Sequence, residues 1–306
     1  MTLSTDQNAA LFSALTQLLV RAEQVLGRVE NAFPPAMTEP DWDAQATAFR
    51  WQRRQGHTRL VPVHHPHPIR LSDVHDVDAQ KEKIVRNTRQ FLSGRPANNV
   101  LLTGARGTGK SSLVKAVLTE YAAQGLRLIE VDKSDLTDLP EIIACVENRP
   151  ERFILFCDDL SFEAEEPGYK ALKSVLDGSV STLSANVLIY ATSNRRHLLP
   201  EYMSDNLERK RVNDEIHPGE TVEEKISLSE RFGLWISFYP FSQESYLTIV
   251  AHWLNFHGLN SEQIAAARTA ALQWAIERGG RSGRIAAQFA RDYAGQLGLA
   301  DEPPAA

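Results

Sequence analysis

Between positions 98 and 116 the chain reads NNVLLTGARGTGKSSLVKA. Within it Gly104, Ala105, Arg106, Gly107, Thr108, Gly109, Lys110, Ser111 and Ser112 carry the Walker A spacing of a phosphate-cradling loop. Glycines let the backbone curl until successive amides point at phosphate oxygens, and the N-terminus of the following helix adds partial positive charge. In such a loop Lys110 reaches the β and γ phosphates, and the Ser111 hydroxyl ligates the magnesium ion that bridges them. A chance glycine turn before a helix is the alternative; the strand and helix patterns on either side argue against it. Further on, Phe153 to Cys157 is apolar on both alternating faces, as a strand buried on both sides must be, and it ends in Asp158 and Asp159. Behind a phosphate loop, such a pair places Asp158 to hold magnesium through water and Asp159 to orient or deprotonate the attacking water. Without that loop, two acids at a strand end would be an ordinary turn. A third apolar run, VLIYATSN at 187–194, has a polar tip, so Asn194 emerges at the carboxyl end of its strand beside the terminal phosphate. The chemistry these residues imply is binding of ATP or ADP with Mg2+.

The elements needed to position them can be read in order. Val100 to Leu102, residues 127–132 (RLIEVD), Phe153 to Cys157, residues 187–193 and Trp235 to Phe241 are five strand candidates separated by helical patterns. That alternation is the signature of an α/β fold with a parallel five-stranded sheet flanked by helices. One helix, over 78–92, carries Ile84, Thr88, Phe91 and Leu92 on one face and stops at Gly94 and Pro96, just before the loop strand. From Ser242 onward only helices are expected: one capped by Ser242, a second starting at Asn260 and Ser261, a third near Ser282. A small helical domain after an α/β core forms a lid with the nucleotide between them. The division this gives is an N-terminal helical extension and Pro/His-rich linker over 1–68, a nucleotide-binding core over 69–241 and a helical lid over 242–306.

Other stretches carry weaker signals. Residues 6–32 place Leu11, Leu15, Leu18, Leu19, Leu26 and Val29 near one helical face, and Pro34 and Pro35 end the pattern. The polar face is mixed in sign, which favours a packed accessory helix over a membrane-surface one. Phe49 to Arg54 (FRWQRR) mixes aromatic and basic residues, as nucleic-acid surfaces and solvated helix faces both do; the second reading is preferred. His64, His65 and His67 sit among prolines that favour an extended linker, with no ligand spacing that would support a metal site. The polar segment 195–226 is too long for an ordinary loop and reads as a mobile insertion or partly helical, and 301–306 reads as a disordered tail.

Bulk properties narrow the setting. The 306 residues are 42% apolar and 24% charged, as in ordinary globular proteins, and no run approaches the roughly 18 apolar residues of a membrane span. The first residues show no basic segment leading into an apolar core, so no secretory signal is expected. Two cysteines, Cys145 and Cys157, are too few for a disulfide framework and point to a reducing compartment, the cytoplasm. A net charge of −6 argues against broad electrostatic capture of nucleic acid.

From about residue 69 to residue 297 the order of motifs GARGTGKS, FILFCDD, ATSN, LSERFG and GGRSGRIA resembles the AAA+ ATPases. More narrowly, RPERFILFCDDLSFE, YATSNRRHLLPEYMSDN and KISLSERFGLWISFYPF resemble a bacterial AAA+ family of unknown function, over nearly everything after Trp51. The resemblance implies that Asn194 is the first sensor, Arg284 the second sensor on the lid, and Arg231 an arginine finger reaching a neighbouring subunit's γ-phosphate in a homo-oligomer. A surface salt bridge is the alternative for Arg231. It also implies ATP hydrolysis coupled to conformational change in an unidentified macromolecular partner; a nucleotide-loaded scaffold and a DNA-processing ATPase are the alternatives. Two departures stand out. The acidic strand ends Asp-Asp where such motors usually have Asp-Glu, so turnover is expected to be slow or partner-dependent. Residues 133–149 also lack the aromatic-glycine pair that grips substrate in ring unfoldases, which makes a protein-threading motor a poor fit.

Overall fold

A computed structural model of the chain describes residues 16–25, 42, 46–54, 57–64, 66, 68–162, 166–178, 184–195, 198, 210–212, 215–217 and 228–300. Its strands in chain order are β1 (Ala48–Arg54), β2 (His57–Pro62), β3 (Val100–Gly104), β4 (Leu126–Glu130), β5 (Arg152–Cys157), β6 (Val187–Ser193), β7 (Lys210–Val212), β8 (Glu215–His217) and β9 (Leu234–Phe238). Strands β7 and β8 form a separate antiparallel pair. The other seven form one sheet in the order β2-β1-β4-β5-β6-β3-β9, parallel at every step except β1 with β2.

All five expected strands are present and adjacent, but the expected count of five is corrected to seven. Residues 48–62, read above as a surface element followed by an extended linker, are a hairpin whose first strand pairs with β4, Phe49 opposite Ile129. The cause is a period-2 pattern. Phe49 and Trp51 point into the core, 2% and 1% exposed, while Arg50 on the opposite face pairs with Glu130 at 2.6 Å. Trp51 Nε1 donates to Asp138 Oδ2 at 2.9 Å, and Arg53 pairs with the same carboxylate. The aromatic rings are therefore core packing and unavailable to stack on bases.

Strands apolar on both faces require helices on both faces, and the helices supply two cores. α1 (Asp78–Leu92) and α2 (Lys110–Tyr121) pack with Val100, Leu102, Ile154, Phe156 and Ile236. α3 (Leu139–Val146) and α4 (Pro167–Leu176) pack with Leu101, Ile129, Leu155 and Ile189 on the other face. The lid consists of α5 (Gln243–Phe256), α6 (Ser261–Glu277) and α7 (Gly283–Ala300). Its helix starts are fixed by side chains: Ser242 accepts from the Ser245 amide, and Asn260 and Gln263 cap each other's backbone. Ala267, Ala271 and Ala275 give α6 a small-residue face on which α5 sits closely enough for Tyr246 OH to reach the Ala271 carbonyl, at 3.1 Å.

Residues 16–25 are helical and exposed throughout, with Leu18 at 68% and Leu19 at 63%, rather than packed as expected. The rest of the 6–32 helix, most of 195–226, His65, His67 and the tail 301–306 lie outside the described residues. Among the described residues no helix is long and apolar enough to cross a membrane.

Candidate functional site

The site begins where β3 runs out. Gly104 has φ +131°, and a Cβ there would lie 1.9 Å from the Phe238 carbonyl oxygen of β9, so only glycine lets the loop leave the sheet at this point. The loop then turns back on itself, with Thr108 Oγ1 donating to the Ala105 carbonyl at 2.8 Å. It delivers Lys110 as the first residue of α2, with that residue only 6% exposed. Lys110 Nζ donates to Gly104 O at 2.8 Å, Ala105 O at 2.8 Å and Asn194 Oδ1 at 3.0 Å. Burial lowers its pKa, with Asp159 and Asp158 pulling the other way. The ammonium group is thus partly desolvated, yet each of its three donors has an acceptor.

Beside it, Ser111 Oγ donates to Asp158 Oδ1 at 2.6 Å. Thr192, on β6, ties the two acids together: its hydroxyl bonds Asp158 Oδ1 at 2.5 Å and accepts from the Asp159 amide at 2.9 Å. Asp159 has a left-handed backbone, φ +53°, and its carboxylate accepts from Asn194 Nδ2. Asn194 consequently bridges Lys110 and Asp159, one amide atom to each.

The lid closes the far side. The Gly283 amide donates to the Gly107 carbonyl at 2.8 Å, so α7 is tied directly to the phosphate loop. Between core and lid lies a cleft of about 350 Å³. Its polar lining is Arg106 to Ser112, Asp158, Asp159, Thr192, Asn194 and Arg284, and its apolar lining is Ile69, Val74, Phe241, Ile249 and Trp253. Among the residues singled out in the sequence, Arg106, Gly107, Thr108, Gly109, Lys110, Ser111, Ser112, Asp158, Asp159, Asn194 and Arg284 meet here, while Gly104 and Ala105 offer their carbonyls to Lys110. Arg231 does not line this cleft; its Nε bonds the Asp177 carboxylate at the end of α4. Thr192, the apolar wall, Asp73, His75 and Gly283 escaped the sequence reading.

A lining rich in loop amides with one ammonium group suits phosphates, and the apolar side chains that share the cleft suit a flat heterocycle. The Ser111 hydroxyl and Asp158 carboxylate are hard oxygen donors side by side, a set that fits Mg2+ held partly by phosphate oxygens. Among the described residues no group of three or more His, Cys, Asp or Glu side chains forms a metal site of its own.

Sheet order, phosphate loop and helical lid together define the AAA+ P-loop ATPase fold. The chain belongs to the family described as "Protein of unknown function (DUF815)", which matches residues 44–297. The Holliday junction branch migration motor RuvB of Thermotoga maritima superposes with a TM-score of 0.50 at 15% identity, covering 76% of this chain and 66% of that one. The Aeropyrum pernix ORC1 protein, solved in complex with DNA, gives 0.51 at 16% identity over 74% of this chain and 61% of that one. A stretch of 69 residues is 36% identical to the replication factor C large subunit of Staphylothermus marinus, which is 22% of this chain and 16% of that protein.

Proposed function

We propose that the chain binds ATP with Mg2+ in this cleft and hydrolyses it, working as a homo-oligomer that changes the conformation of a macromolecular partner. The observation that supports this best is the convergence of Lys110, Ser111, Asp158, Asp159 and Asn194 in one hydrogen-bond network, joined by Thr192, within the cleft. In this reading the loop amides and Lys110 hold the β and γ phosphates, and Asp159, steadied by Asn194, orients the attacking water and takes its proton. Ser111 and Asp158 hold Mg2+, which when bound neutralises charge on the phosphate oxygens. Arg284 reaches the phosphates from the lid. Arg231, outside its own cleft, serves a neighbouring subunit's nucleotide, where a cation supplied in trans is worth roughly three to five decades in rate. The chain divides into 1–68, 69–241 and 242–306, the first part lending two strands to the sheet. Cys145 and Cys157 are both free, which supports a cytoplasmic location.

Turnover per subunit measured against protein concentration tests the proposal. The expected rate rises with concentration, collapses in Arg231→Ala and is absent in Lys110→Ala; no phosphate release at any concentration would sink it. A second reading, a nucleotide-loaded scaffold with negligible turnover, is favoured by Asp159, whose carboxylate is one methylene shorter than the usual glutamate. A DNA-processing role is not favoured, because Phe49 and Trp51 are buried and Arg50 and Arg53 are paired within the chain. A gel shift that weakens steeply with salt would reverse that judgement.

A further inference from the structure

Beside the cleft, core and lid meet through two imidazoles. His75 lies in the bend between the short turn Leu71–Asp73 and α1, and its ring centroid is 4.2 Å from that of His252 on α5. Asp73 places Oδ1 at 3.7 Å from His252 Nε2, within ion-pairing range but too long for a hydrogen bond. The carboxylate is held facing the lid, since its Oδ2 accepts from the Arg70 amide at 2.8 Å and Ser72 Oγ reaches Oδ1 at 3.3 Å. Nε2 of His75 and Nε2 of His252 are both buried without a hydrogen-bond partner. Native interiors rarely leave such atoms unsatisfied, so two of them in contact across a core-lid seam mark a contact whose satisfied geometry is a slightly different one. Asp73, His75 and Trp253 all line the cleft, and the Trp253 ring packs edge-on against His252 at 5.2 Å.

We infer that Asp73 and His252 are a positioning pair that seats the lid over bound nucleotide, His252 Nε2–H donating to the Asp73 carboxylate as the cleft closes. This rests on the nucleotide reading of the cleft and adds the groups that couple its filling to lid position. The charged groups around His75 are Asp73 and Asp78, which favour a proton on it, and Lys81 and His252, which oppose one. Burial, followed by His252 and Lys81, holds His75 below the usual imidazole range. Because His75 stays below the usual imidazole range, a proton taken up as the bond to Asp73 forms meets less opposition from that ring. Closure then takes up a proton, so nucleotide binds more tightly as pH falls through the histidine range.

The test is calorimetric titration of the full chain with MgADP at about pH 6 and about pH 8, for wild type, Asp73→Asn, His252→Gln and the double variant. Wild-type affinity is expected to be about three- to fivefold higher at the lower pH, with proton uptake visible as a dependence of binding heat on buffer ionisation. Each isosteric variant should abolish both effects, and the double variant should lose no more affinity than either single one. Wild type that binds no nucleotide would overturn the cleft reading and this inference together. Wild type that binds while the variants keep its proton uptake, or show independent losses that add, would overturn the pairing alone.

Discussion

Asp159 carries more constraint than its position at a strand end suggests. A non-glycine residue with φ +53° costs about 1–2 kcal/mol, and here two bonds hold it, its amide to Thr192 and its carboxylate to Asn194, which is itself bonded to Lys110. Such restraint fixes the carboxylate direction, which a base acting on one water needs. If Asp159 is that base, Asp159→Asn should lower phosphate release by about a hundredfold or more while MgADP affinity stays within about threefold, and Asp159→Glu should keep measurable turnover. Equal rates in the amide variant and wild type would remove the base role and leave the scaffold reading. Thr192 explains why sequence alone under-described this centre. A hydroxyl inside an otherwise apolar strand looks like ordinary strand composition, and its two bonds to the acids depend on β5 and β6 being neighbours.

At the scale of elements, strands with apolar residues on both faces were legible because burial on both sides leaves no other composition open to them. Strand β1 was not, because Phe49 and Trp51 alternating with Arg50 and Gln52 is too short a pattern to separate from an aromatic-basic surface without its partner β4. Lid contacts were hidden for a related reason: the Gly283 amide meets the Gly107 carbonyl only because α7 docks where it does. That contact has a consequence for binding. A Cβ on Gly107 would lie 2.6 Å from Ser282 Cβ, so Gly107→Ala must push loop and lid apart as well as strain a backbone with φ +76°. MgADP affinity is expected to fall about tenfold or more, by calorimetric titration. Gly125→Ala is the control, since its φ of +90° imposes the same kind of strain with nothing within 4 Å of the new Cβ. Equal effects of the two on affinity would mean that backbone strain, and not the loop-lid contact, weakens binding.

For the molecule as a whole, two cores on opposite faces of one sheet bury ionisable groups that must stay neutral. The Cys157 thiol, wholly inaccessible in β5, is pushed by burial from 9.0 up to about 12, with Asp158 adding to the shift. Burial likewise moves the Tyr190 hydroxyl from 10.0 up to about 12, against hydrogen bonds from Thr88 and Asn87 that favour the charged form. In each case the folded pKa lies above the unfolded one, so the contribution to stability is complete below pH 9.0 and is lost as pH rises toward about 12. Each buried group contributes a slope of about 1.4 kcal/mol per pH unit once its unfolded form is ionised. Lys110, with a folded pKa below its ordinary value, acts in the opposite sense, but it is one group against five, since burial also raises Tyr246, to about 12, and Tyr121 and Cys145. The urea midpoint is therefore expected to hold from neutral pH to about 9 and then decline, and Tyr190→Phe should flatten the decline above about pH 10. A midpoint that stayed level to about pH 11, or a slope untouched by Tyr190→Phe, would mean that these buried groups are not what limits the fold in alkali.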